Sequence, residues 1–211
     1  MNGPQKPRGR PHASSREQIA QHAFELFLER GFAATTIASI AKASGVSKTS
    51  FFRYYSSKSE IIWLAFDQHI DRLQTLLQQS DPGLPSLTAV RLAVLDALTR
   101  DTARDAVWRQ RFVLFDSSPE LRDEESAHWN AWAGVISAFL VLRTGCPVEH
   151  AVPPVVGGAV QSLVLAKLRS WLPLTDPART LADWIDDDLR PLCEALQPWV
   201  DASCGTPRRA A

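Results

Sequence analysis

No stretch of this chain approaches the roughly 18 unbroken apolar residues that a membrane span requires, so no membrane partner is expected. The opening residues MNGPQKPRGRPHASS hold no apolar core and do not read as a secretory signal. Cysteine is scarce: Cys146, Cys193 and Cys204 are odd in number, far apart and form no C-x-x-C pair. That pattern excludes a disulfide framework, argues against a zinc site and fits a reducing cytoplasm. G-x-S-x-G, Walker and glycine-rich nucleotide loops are all absent, so no catalysis and no cofactor are expected. Glu124 and His128 stand four apart and could share a metal; with Asp123 and Glu125 beside them they read instead as a solvated acidic helix face.

Net charge is also missing, with 23 Lys/Arg against 23 Asp/Glu, but it is unevenly spread. Residues 1–60 hold nine cations and four acids (+5), leaving fourteen and nineteen (−5) for residues 61–211. A basic head on an acidic body places any polyanion at the head. Chance variation in surface charge would give the same count, so spacing has to decide.

The head reads as three short helices. The first starts after Ser14 or Ser15, with Ile19, Ala23, Phe24, Phe27 and Leu28 as its apolar stripe and Gly31 as its stop. The second is capped by Thr36, turns Ile37, Ile40 and Ala41 inward and ends at Gly45. The third is capped by Ser47 and has KTSFFRYY as its body. Two short helices joined by a glycine-containing turn and packed on a longer one form a helix-turn-helix unit. At 100° per residue Phe51 and Tyr55 share one face and close the small core. Thr49 and Arg53 fall opposite, with Ser50 and Phe52 on the shoulders. Hydroxyls, a ring and a guanidinium are what base edges, thymine methyls and phosphates accept.

The run ERGFAATTIASIAKASGVSKTSFFRYYSSKSEII resembles the DNA-binding domain of the tetracycline-repressor family over about fifty residues, 14 to 63. The shared pattern is a helix ending in G-F, then TT-x-x-x-IA-x-x-[AS]-GVSK, an aromatic pair and S-K-S-E before an apolar helix. The resemblance implies that Thr36 meets phosphate. It gives Lys48, Thr49, Ser50 and Phe52 to the bases, with Ser47 at the helix entry, and Arg53, Tyr54 and Lys58 to the backbone. Phe52 stands where the family most often has tyrosine, and Ala38 where some relatives have a base-reading polar residue. Upstream, Arg8 and Arg10 in KPRGRP form a basic arm suited to a narrow minor groove, or equally a solubilising tail.

The body reads as all-helical. IIWLAFDQHIDRLQTLLQQ is a fourth helix, broken by DPGLPS, and further helices cover 87–101, the segment around Trp108–Phe115, 119–143, 153–172 and Pro177 onward, the last kinking at Pro191. Gly157 and Gly158 inside a helix cost about 1 kcal/mol each relative to alanine, which implies a close neighbour, helix or ligand. Five of the seven tryptophans (Trp108, Trp129, Trp132, Trp171, Trp184) lie in body helices, as core residues or as walls of an apolar cavity. RQRFVLF and SSPELR are similar to the subgroup with the mycofactocin-system regulators, associated with long-chain acyl-CoA. That resemblance implies Arg109 or Arg111 for an anionic end and Trp108, Phe112, Phe115, Trp132 and Phe139 for the chain.

The expectation is therefore an all-α protein: a basic arm (1–13), a helix-turn-helix domain (14–58), a ligand-binding and dimerisation bundle (59–200) and a tail (201–211). The family resemblance implies a homodimer joined through the last two long helices, a double-stranded operator as partner and a small apolar or amphipathic effector. Two other readings stay open: an architectural DNA-binding protein with a non-sensing body, and an enzyme using Glu124 and His128.

Overall fold

The computed structural model describes residues 16–102, 110, 112, 114, 118–174 and 179–204. Its named helices are α1 (Arg16–Arg30), α2 (Ile37–Ala43), α3 (Lys48–Phe52), α4 (Lys58–Gln78), α5 (Ser86–Thr102), α6 (Pro119–Thr144), α7 (Val152–Trp171) and α8 (Leu181–Cys204). The described residues include no strand. Two compact units result, Met1–Ile62 and Trp63–Ala211.

In the first unit α1 buries Ile19, Ala23, Leu26 and Phe27. Leu26 replaces the expected Leu28, which is 43 % exposed. An unbroken 3.6-residue period admits either neighbour as the stripe turns, and the sequence does not say where it turns. Ser14 and Ser15 lie outside the described residues. Gly31 and Gly45 take positive φ (81° and 66°) and end their helices as expected. Ile40 and Ala41 are buried under α2, whereas Ile37 is only half-covered. α3 is shorter than KTSFFRYY, with Arg53 as its C-cap. The turn nevertheless continues far enough for the Tyr55 N–H to reach the Phe51 carbonyl at 3.0 Å.

The second unit is a helical bundle. α6 ends at Gly145 with φ 69°. Gly157 of α7 has its reason in α6: a Cβ there would stand 2.6 Å from both the Ala133 carbonyl oxygen and Ser137 Oγ. Ser137 Oγ lies 3.0 Å from the Ala133 oxygen and 3.1 Å from the Pro153 oxygen, so the close approach is also hydrogen-bonded. A Cβ on Gly158 would meet nothing within 4 Å. α5 and α8 are clamped by Arg91, whose Nε and Nη2 donate to the two Asp186 carboxylate oxygens at 2.5 and 2.7 Å. Arg190 adds a third bond to Asp186 at 2.7 Å.

Two expectations need correction here. α8 opens at Leu181 rather than at Pro177; Thr180 Oγ1 accepts the Asp183 N–H at 3.1 Å and is the cap. Pro191, the expected site of a kink, and Pro198 both lie inside α8. The second correction concerns cysteine: Cys146 and Cys204 are joined in a disulfide, Cα atoms 4.5 Å apart across 58 residues of sequence. Sequence spacing carries no signal for two helix ends that meet only in the packed bundle. Trp129, Trp132 and Trp171 are core residues. Trp184 is half-exposed, and Trp108 lies outside the described residues.

Gly157→Ala should destabilise the chain by about 1–3 kcal/mol in denaturant unfolding, because a backbone carbonyl cannot move aside as a side chain would. The Arg91 hydrogen bonds hold the Asp186 carboxyl at about 2, against the opposition of burial. Since the folded value lies below the unfolded one, this stabilisation is complete above pH ~4 and fades as pH falls through about 2. Asp186→Asn should therefore cost about 2 kcal/mol at neutral pH, with the gap to the native chain closing between pH ~4 and ~2.

Candidate nucleic-acid interface

The site is assembled from two capped helix starts and the outward side of α3. Thr36 Oγ1 accepts the Ser39 N–H at 3.1 Å, and Ser39 Oγ returns the favour to the Thr36 N–H at 3.1 Å, a reciprocal capping box. The neighbouring Thr35 goes inward instead: it is 1 % exposed, and its hydroxyl reaches the Gly31 carbonyl at 2.8 Å. Ser47 Oγ accepts the Ser50 N–H at 3.0 Å and also bonds the Ser50 hydroxyl at 3.0 Å. The start of a helix carries backbone N–H groups without intrahelical partners, a setting that favours anionic oxygen.

Four rings divide as the spacing requires. Phe51 and Tyr55 are 0 % and 1 % exposed, while Phe52 is 52 % exposed. Phe52 stands edge-on to Phe51 at 5.6 Å, so its position is fixed although its far face is open. Lys48, Thr49 and Arg53 are exposed, and Ser50 and Tyr54 are half-exposed. Arg53 lies over the Tyr54 ring, 5.2 Å from its centre, which limits the guanidinium's wandering. Thus Lys48, Thr49, Phe52 and Arg53 form one outward surface next to the Thr36 and Ser47 caps. Arg8 and Arg10 lie outside the described residues.

Lys58 is placed differently from its expected role. Its ammonium donates to the carbonyls of Phe32 at 2.7 Å and Thr35 at 3.2 Å, and it sits 4.1 Å from the Phe32 ring centre. It ties the α1–α2 turn to α4. Sequence reasoning also missed Arg16 and Glu60. The Tyr55 hydroxyl donates to the Arg16 carbonyl at 2.8 Å, and the Arg16 guanidinium reaches Glu60 at 2.9 Å. Burial pushes the Tyr55 phenol up. Burial also pushes the Glu60 carboxyl up, but two bonds from Ser56 and the charge of Arg16 outweigh it and leave it lowered. The clue was present: Ser57 and Glu60 are three apart, the spacing of a helix-start box, and Ser57 Oγ does accept the Glu60 N–H at 3.1 Å.

In the second unit a half-open cavity of about 520 Å³ lies between α4 and α6. Leu77, Val135, Ala138, Phe139, Leu142 and Arg143 are among its walls. Arg143 is held at one end by donating to the carbonyls of Asp81 and Leu84. Of the residues expected to meet a ligand, Phe139 lines this cavity. Trp132 does not: it is 1 % exposed, packed edge-on against Trp129 at 5.9 Å, its indole N–H without a partner among the described residues. Phe112 is half-buried, and Trp108, Arg109, Arg111 and Phe115 lie outside the described residues. Glu124 and His128 belong to no cluster of three or more metal-ligating side chains among the described residues. His128 Nδ1 pairs with Asp67 at 2.7 Å, and its ring stacks on Trp63 at 4.2 Å. Among the described residues no helix is long and apolar enough to cross a membrane.

Comparison with known proteins agrees with this geometry. Residues 19–62 match the family of bacterial regulatory proteins named for tetR, and residues 84–197 match the MftR C-terminal domain. A Mycobacterium tuberculosis protein described as a mycofactocin biosynthesis transcriptional regulator, MftR, is 30 % identical over 78 % of this chain and 83 % of its own. The crystal structure of Thermus thermophilus FadR, a transcriptional repressor in complex with lauroyl-CoA, superposes with a TM-score of 0.57. It is 28 % identical and covers 86 % of this chain and 95 % of that one. NalD of Pseudomonas aeruginosa, at 21 % identity and a TM-score of 0.62 over 85 % of this chain and 95 % of its own, shares the fold. The chain therefore belongs to the tetR family of DNA-binding transcription regulators and carries a C-terminal domain of the MftR type.

Proposed function

We propose that this regulator acts as a repressor, holding a near-palindromic operator as a homodimer and releasing it when an apolar or amphipathic effector of the long-chain acyl-CoA class enters the body. The observation that carries the DNA half is the outward surface of α3, where Lys48, Thr49, Phe52 and Arg53 stand clear of the core beside two capped helix starts. Thr49, Ser50 and Phe52 would read base edges and methyls, Lys48 would reach base or phosphate, and Arg53, Tyr54 and Thr36 would hold phosphates. Lys58 is left out of the contact set because its ammonium already serves two carbonyls. Arg8 and Arg10 would add affinity through the minor groove more than sequence choice. The protein would work in the cytoplasm, where its operator is.

Two features support the dimer through α7 and α8. Gly158 faces open space on the single chain, and Val155 and Trp199 are 52 % and 41 % exposed. Such apolar exposure on helices otherwise well packed suits a like partner. A two-fold pair would set recognition helices about 34–36 Å apart, one turn of DNA. The effector half rests on the cavity between α4 and α6, apolar along Leu77, Val135 and Phe139, and on the lauroyl-CoA held by a relative of the same family. Arg109 and Arg111 are the proposed partners for the anionic end, with Trp108, Phe112, Phe115 and Phe139 along the acyl chain.

Operator fragments selected from genomic DNA allow the contacts to be separated by fluorescence anisotropy. Arg53→Ala should weaken all sequences alike and reduce the salt slope by about 1. Thr49→Ala should leave that slope and cost about 1 kcal/mol of discrimination at one base pair. Identical losses in both variants would refute the division of roles. Saturating lauroyl-CoA should release the operator from the native chain but not from Ala138→Trp, which fills the cavity. No release from either would leave a DNA-binding protein with a non-sensing body. Gly158→Leu should shift sedimentation from dimer to monomer; an unchanged dimer would move the interface elsewhere.

A further inference from the structure

Cys146, His150 and Cys204 converge where three segments end. Cys146 follows the α6 cap at Gly145, His150 lies in the short turn before α7, and Cys204 is the last residue of α8. The two sulfurs and one ring nitrogen of His150 all lie within 4.8 Å of one another. Both cysteines are buried, at 3 % and 5 % exposure, yet the cover is thin: Pro147, Val148 and Glu149 are exposed and His150 is half-exposed.

Two chemistries fit a Cys-His-Cys group, and the hydrogen bonding separates them. His150 Nδ1 accepts the Val152 N–H at 3.2 Å. In the neutral ring Nε2 must then carry the proton, so neither nitrogen has a lone pair free for a metal. Cys146 and Cys204, by contrast, are already positioned to bond each other, Cα atoms 4.5 Å apart. A disulfide in a cytoplasmic protein is usually transient and redox-sensing. That last step rests on the cytoplasmic reading above, while the thiol chemistry can be tested without DNA.

We propose that Cys146 and Cys204 are a reversible thiol pair that a hydroperoxide oxidises to the disulfide, fastening the end of α8 to the α6–α7 turn. In the first step one thiolate attacks the peroxide: an S–O bond forms, the O–O bond breaks, and water or an alcohol leaves after taking up a proton. The second thiol then attacks the sulfenic sulfur, forming S–S and breaking S–O, and its proton leaves with the hydroxide as water. Each sulfur gives up one electron and the peroxide takes two. A thiol reductant reverses the exchange. The pair joins an end already held by Gln197, whose Oε1 accepts the Leu87 N–H at 2.8 Å and whose Nε2 reaches Ser86 Oγ at 3.2 Å. Cys193 serves as an internal control: it is equally buried, at 4 % exposure, and burial pushes its thiol up to about 11, but it is a free cysteine outside the Cys146–Cys204 pair.

The test uses the full chain, reduced, freed of reductant and treated with one equivalent of hydrogen peroxide. Thiols should fall from three to one. Peptide mapping should place the link between Cys146 and Cys204, and a thiol reductant should restore all three. Closure should raise Tm by about 5–10 °C, and the rise should vanish in Cys146→Ser and in Cys204→Ser but persist in Cys193→Ser. Persistence of all three thiols, or sulfinic acid without a link, would overturn the proposal. So would one equivalent of zinc retained by the reduced chain and shielding both thiols, which would make the group a metal site.

Discussion

Burial of Phe51 and Tyr55 in the core of the head is the constraint on which that unit depends. A five-residue helix has too few internal hydrogen bonds to hold itself in water, so α3 exists only because tertiary contacts fix it. Two rings 5.8 Å apart supply the apolar contact. The Tyr55 hydroxyl adds a bond to the Arg16 carbonyl, 39 residues away in sequence, and so fixes the rotation of α3 about its own axis. Once that rotation is set, Thr49 and Arg53 have no choice of direction. Their exposure is a consequence of the two inward rings, because residues two apart on a helix cannot share a face.

The same logic runs through the body with different materials. There the fixed points are one backbone approach and one charge clamp. Gly157 lets α7 come close enough to α6 for Ser137 to serve carbonyls on both helices. Arg91 does for α5 and α8 what packing alone would leave loose, since a bidentate guanidinium–carboxylate pair defines angle as well as distance. Between these fixed contacts α4 and α6 leave a space of about 520 Å³ unfilled. A cavity persists in a bundle when its walls are held from behind, and Arg143 holds one end through two carbonyls of the α4–α5 turn.

How much of this was legible depended on whether the signal was local. The helix-turn-helix could be read because its caps, stops and ring spacing all act within a few residues: Thr36, Gly45, Ser47, Phe51 and Tyr55 each do what neighbours in sequence demand. Gly157 and Gly158 showed that some close approach was needed, but not that one glycine met α6 and the other met nothing. Leu26 in place of Leu28 was out of reach, because the period leaves the stripe's drift undetermined. The Cys146–Cys204 pair was hidden for a different reason: its proximity depends on the packing of three helices, and spacing rules for cysteine describe local motifs. The two carbonyl bonds of Lys58 were not legible, because a lysine at a family position looks alike whether its ammonium faces a phosphate or a carbonyl.

Lys58 also shows why the charge of the head overstates its reach. Nine cations against four acids look like a surplus of five, yet the cations are not equivalent. Arg16 is matched by Glu60, Arg30 by Glu29, and Lys58 by two carbonyls and a ring. Among the described residues, Lys42, Lys48 and Arg53 remain exposed without an acidic partner. Two of these, Lys48 and Arg53, flank the outward surface of α3. An attractive potential near a helix start depends on charges that are both close and unneutralised, since solvent and salt screen the rest within about 10 Å. The count that matters for a polyanion is therefore the small one, and the fold sets it by giving the other basic side chains internal partners.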